Sequence, residues 1–112
     1  MAIKTPTTSR LGDRLLRVTW AGMRNGDSGA GVAGLCECSV QVSGDFGLDG
    51  EVAIQGSNDS GVTFSALHNP QGFGLNIAEA GIHAVAEFVE LIRPAVSGDD
   101  TTSLTVTLIA KG

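Results

Sequence analysis

A chain of 112 residues has room for one domain, and 42% hydrophobic residues exclude a polymer that is disordered by composition. No apolar run approaches the ~20 residues of a membrane-spanning helix, and the start Met1-Ala2-Ile3-Lys4-Thr5-Pro6 lacks the apolar core of a signal peptide, so synthesis and assembly in a cytoplasm are expected, with no membrane partner. The net charge of −5 is unevenly spread: residues 1–24 carry Lys4, Arg10, Arg14, Arg17 and Arg24 against Asp13 alone, whereas the acidic remainder argues against nucleic acid as the main partner.

Residues 1–12 mix Thr, Ser, Pro and Gly without periodicity and read as an extended N-terminal arm, leaving 13–112 for a β-sandwich domain. The first predicted strand is Leu15–Trp20, with Leu16, Val18 and Trp20 on one face. Asn25-Gly26 is a strong turn signal and opens a glycine-rich loop to Gly34. Leu35–Ser43 alternates cleanly, Cys36, Cys38, Val40 and Val42 facing in against Glu37, Ser39 and Gln41. Glu51–Gln55 follows, then the turn cluster Ser57-Asn58-Asp59-Ser60-Gly61, a short strand Val62–Leu67, the turn Asn69-Pro70-Gln71-Gly72 and a short strand near Gly74–Ile77. Between Ala78 and Ala86 the apolar spacing predicts a turn or brief helical segment, followed by a strand Phe88–Arg93 that Pro94 ends. Ser103–Ala110 closes the chain, with Leu104, Val106 and Leu108 on one face. Seven to eight short strands, separated by turn signals about every ten residues, predict an all-β fold: an antiparallel sandwich in a single domain.

The residues offer little chemistry. Two cysteines in C-x-C spacing on a strand point the same way, which is poor geometry for a mutual disulfide and suits two buried thiols. Gly29-Ala30-Gly31-Val32-Ala33-Gly34 spells G-x-G-x-x-G, but a strand follows where a dinucleotide site needs a helix. His68 and His83 sit in no ligand spacing and beside no nucleophile elbow, so no enzyme, metal or cofactor is expected. Asp45, Asp49 and Glu51 with Asn58 and Asp59 would place oxygens near one end of a sandwich, yet the spacing matches no calcium loop and turn chemistry accounts for them. With Trp20, four Phe and no Tyr, at least two rings are due to the core, which weakens a sugar-stacking reading. The basic N-terminal region is the candidate partner interface: Ile3 and Leu11 as apolar anchors, with Lys4, Arg10, Arg14, Arg17 and Arg24 toward an acidic neighbour. Its alternatives are solvated strand faces and an arm folded back as an edge strand.

Two segments carry a resemblance. Gln55-Gly56-Ser57-Asn58-Asp59-Ser60-Gly61-Val62-Thr63-Phe64-Ser65-Ala66-Leu67 resembles the GSNDG-x-x-W-x-x-L hairpin of discoidin-like jelly rolls, with Phe64 where Trp is preferred and Ser60 inserted before the glycine. Phe88–Arg93 resembles the aromatic-[VI]-R strand of the same domains. Together with Trp20, the loop Asn25-Gly26-Asp27-Ser28-Gly29, the Asn69–Gly72 turn, Ile92-Arg93-Pro94 and the Thr-rich end Thr101–Leu108, these elements are similar to small structural proteins of tailed bacteriophages, over roughly residues 18–109. The resemblance implies a jelly-roll-like sandwich and a capsid decoration, or cement, protein of the virion. It would bind between subunits of the major capsid protein, as a homotrimer. The alternatives are a carbohydrate-binding module or another virion component at the head–tail junction or in the tail.

Overall fold

In the computed structural model, which describes residues 2–33 and 37–112, the alternating segments pair into two sheets with no helix among them. The strands are β1 (Ile3–Lys4), β2 (Thr7–Gly12), β3 (Leu15–Met23), β4 (Ser28–Gly29), β5 (Val32–Ala33), β6 (Glu37–Asp45), β7 (Glu51–Ser57), β8 (Ser65–Ala66), β9 (Asn76–Ile77), β10 (Gly81–Val85), β11 (Leu91–Ser97) and β12 (Ser103–Lys111). One sheet runs β10-β6-β12-β3-β2, antiparallel throughout. The other runs β1-β4-β11-β7-β8, with β5 also on β11 and β9 also on β7; only β1–β4 is parallel in it.

The core is the layer between these sheets. Period-2 alternation on β12 turns Leu104, Val106, Leu108 and Ala110 inward and Thr105, Thr107 and Ile109 outward. Val40 and Val42 of β6, Val18 and Trp20 of β3, Val52 and Ile54 of β7, and Ile92 and Val96 of β11 complete it. Of the residues predicted inward, Leu16 and Cys38 are only half-buried and Cys36 lies outside the described residues. Met23 joins the core although it is out of step with Trp20. A bulge pairs Trp20 with Val106 and Met23 with Leu104, and Gly22, at φ 64°, absorbs the extra residue in the left-handed region.

Three expectations change. Residues 81–85 form an edge strand instead of the turn or helical segment expected over 78–86. Gly81, His83 and Val85 register with Val42, Val40 and Cys38, because pairing completes the open ladder edge of β6, which a helix could not do. The strand expected over Phe88–Arg93 and ended by Pro94 instead spans Leu91–Ser97, leaving Phe88 outside it and running through the proline. Ile54, registered with Pro94, turns both its N–H (to Leu75 O, 3.0 Å) and its carbonyl (from Leu67 N, 3.0 Å) away from β11. The proline nitrogen therefore faces the gap between β4 and β5, where no ladder bond is demanded of it. Finally, the extended segment 1–12 lies along its own sandwich: β1 pairs with β4 of one sheet and β2 with β3 of the other, so the chain bridges both sheets at one side. All six residues of β2 are exposed. With β4 and β5, which arise inside the glycine-rich loop, these two strands explain why the described residues hold more than the seven to eight strands expected.

Candidate interaction surfaces

Of the polar side chains singled out by sequence, Asp45, Asn58 and Asp59 hold turns, Asp45 Oδ1 accepting from Gly47 N (2.9 Å). Asp59 accepts from Ser57 Oγ (2.6 Å) and Thr63 N (2.9 Å), while Asn58 Oδ1 accepts from Glu90 N (2.8 Å). Ser60, the residue inserted before Gly61, takes a left-handed φ of 60°, and its N–H donates to Glu90 Oε1 (2.7 Å). At the other end of β7, Asp99 accepts from Thr101 Oγ1 (2.6 Å), Thr101 N (2.9 Å) and Leu48 N (3.0 Å), tying the 46–50 and 98–102 loops together. The five oxygen donors weighed for calcium are thus divided between opposite ends of β7, and no cluster of metal ligands occurs among the described residues. His68 and Glu87 contact at 2.6 Å on the surface; desolvation opposes ionisation of Glu87, but the hydrogen bonds and charge of His68 outweigh it and hold the carboxyl below its ordinary value. Burial pushes the Cys38 thiol up to about 11, which removes nucleophilic character.

Asp99 gives a pH prediction. Hydrogen bonds from Thr101 Oγ1 first, then from the backbone of Leu48 and Thr101, lower its carboxyl to about 2. The unfolded chain, with a carboxyl near ~3.9, takes up the proton first on acidification. The stabilisation is therefore present above about pH 4 and lost as pH falls through about 2. Asp99→Asn is expected to melt below the wild type at pH 7, and the gap should close as pH falls from about 4 to 2. A gap that stays constant in thermal melts across that range would count against the carboxylate as the cause.

The seven residues predicted at a partner interface fall into two groups. Ile3, 74% exposed, and Lys4, whose ammonium is 3.9 Å from Asp27, lie at the β1–β4 edge near Arg24, whose N–H donates to Asp27 Oδ2 (2.9 Å). Arg10, Leu11 and Arg14 surround the β2–β3 turn, where Arg10 Nη1 donates to Asp13 O (2.9 Å); Arg17 is the third residue of β3, exposed on the outer sheet face. Sequence reasoning missed the apolar companions of this second group. Ile109 registers opposite Arg17 and Leu15 opposite Lys111; Leu15, Ile109 and Lys111, with Ala84 and Pro70, line an open concavity of ≈ 650 Å³ on the outer face of the β10–β3 sheet. The alternation of β12 already placed Ile109 outward among threonines, which was the available signal.

The Trp20 motif has a structural office. Trp20 Nε1 donates to Ala30 O (3.2 Å), and Gly29 sits so close that a Cβ there would lie 2.5 Å from Trp20 Nε1 and 2.7 Å from Pro94 Cδ. The loop after Trp20 and the Ile92-Arg93-Pro94 segment, far apart in sequence, are therefore one packed unit. On the opposite face of β11, the Arg93 guanidinium stacks 3.7 Å from the centre of the Phe64 ring, and its Nε donates to Gln55 Oε1 (2.9 Å). No protein-family model, curated protein or solved structure matches this chain.

Proposed function

We propose that this protein is a decoration protein of a tailed-bacteriophage capsid: a jelly-roll-like sandwich that binds the major capsid protein as a trimer on the virion surface and acts by contact, without catalysis. The nested pairing supports the jelly roll. Taking β4/β5 and β8/β9 as single strands, first pairs with last (β3 with β12), second with seventh (β4/β5 with β11), third with sixth (β6 with β10) and fourth with fifth (β7 with β8/β9). Fold alone assigns no role. The observation that carries the role is the set of motifs similar to small phage structural proteins over roughly residues 18–109. Ile3, Leu48, Val62, Phe73, Ile82 and Phe88, all at least 68% exposed, would supply apolar contacts to neighbouring subunits.

Many weak contacts repeated by symmetry would stabilise the assembled shell by mass action. The test is addition of the purified protein to undecorated capsids of the phage that encodes it. Saturable co-sedimentation at a fixed ratio to capsid subunits, with a raised disruption temperature, is the expected result; no binding, or binding without stabilisation, removes the reading. A carbohydrate-binding module is the second reading, favoured by one observation. Phe73 (70% exposed) and Phe88 (71% exposed) offer open rings beside residues of the bonded His68–Glu87 pair. Glycan binding lost in Phe73→Ala or Phe88→Ala would select it.

A further inference from the structure

The two ends of the sandwich carry opposite charge. At the β6–β7 end, Asp45, Asp49 and Glu51 join Asp99 and Asp100, because Ser103 registers with Asp45, Ser97 with Glu51, and Leu48 N–H bonds to Asp99. From the middle of this end Leu48 projects, 88% exposed. At the other end, Lys111 and Glu37 line the apolar trough of Leu15, Ile109, Ala84 and Pro70; Arg17 registers with Ile109 beside it and Arg14 precedes Leu15, with Asp13 as the acidic residue next to them. Gly112 N donates to Arg14 O (2.9 Å), which holds the rim in place.

The nine residues of β12 separate the two ends. At ~3.3 Å per residue that is about 26 Å, several Debye lengths at physiological salt. The two patches therefore cannot neutralise each other within one molecule. They can do so only between molecules.

We infer that copies of this chain associate head to tail: the Leu48 loop of one enters the basic-rimmed trough of the next. Leu48 supplies the apolar knob, and Asp49 and Asp100 face Arg14 and Lys111. Such a contact joins different patches of the two partners, so it is heterologous and builds a ring when the rotation closes. The rim charges set encounter rate and register, and Leu48 sets residence time. This goes beyond the decoration reading and stands without it, since it is argued from the placement of charge and apolar surface alone.

Sedimentation of the purified chain up to about 1 mM tests the contact. The wild type is expected to show a mass that rises with concentration toward a small ring and falls at high salt. Leu48→Asp should weaken association at least about tenfold while Leu48→Met retains it. Asp49→Lys/Asp100→Lys and Arg14→Glu/Lys111→Glu should each stay monomeric, and the variant combining all four should associate again. Circular dichroism and melts check that every variant is folded, and the rescue keeps the test informative if one pair is destabilised. A wild type that is monomeric at about 1 mM, or a folded fourfold variant that fails to recover, overturns the inference. Capsid binding by such a monomer would leave the decoration reading standing, and ring formation without capsid binding would do the reverse.

Discussion

A chain carrying Val40→Asp is expected to remain unfolded at room temperature. Val40 is 2% exposed in the middle of β6, between β10 and β12, registered with His83 on one side and Leu108 on the other. Replacing it forfeits about 1.5–3 kcal/mol of apolar burial and buries a carboxylate among Val42, Leu108 and Ile54, with only the half-buried His83 across the strand within reach, costing several kcal/mol more. A domain of this size has only about 5–15 kcal/mol to lose. Ile82→Asp makes the contrast. Ile82 is 68% exposed on the outward side of β10, and the same chemical change there should stay within about 0.5 kcal/mol. Thermal melts of the two variants that coincide would refute the assignment of the inner face.

Gly29→Val is expected to cost about 3 kcal/mol or more, the upper range for forced overpacking, and to shift the emission of Trp20, the sole tryptophan. The new Cβ would lie 2.5 Å from Trp20 Nε1 and 2.7 Å from Pro94 Cδ. Neither neighbour can yield: both side chains are fully buried, and Trp20 is anchored by its bond to Ala30 O. β4 must therefore move off β11 or the indole must leave its site, and either change breaks the packed unit. Gly12→Ala is the control, since a Cβ there meets nothing nearer than Leu15 Cβ at 3.9 Å. An unchanged melt and an unshifted emission in Gly29→Val would show that the indole is not confined as described.

The inward faces of β3, β6, β7 and β12 were legible because each of these strands alternates apolar and polar residues, and burying one face of such a strand admits one register. The turns were legible for the same local reason: Asn, Asp and Gly at 25–27, 57–61 and 98–100 satisfy their own backbone through side-chain bonds two to four residues away. What local pattern could not decide is whatever depends on a distant partner. Whether 81–85 coils or extends was settled by the open edge of β6, and Pro94 could stay in a strand only because Ile54 directs its bonds elsewhere. Residues 1–12 have no period of their own and acquire strand structure from the edges of β3 and β4. The same holds for the surfaces. The sequence shows which residues are basic and which apolar, but only the antiparallel register of β12 against β3 and β6 sets Ile109 among Arg17, Leu15 and Lys111 and carries the acidic loops to the far end of the same strand. Alternation is a property of neighbours along the chain, whereas charge separation and concavity are properties of neighbours across the sheet, which only the closed fold brings together.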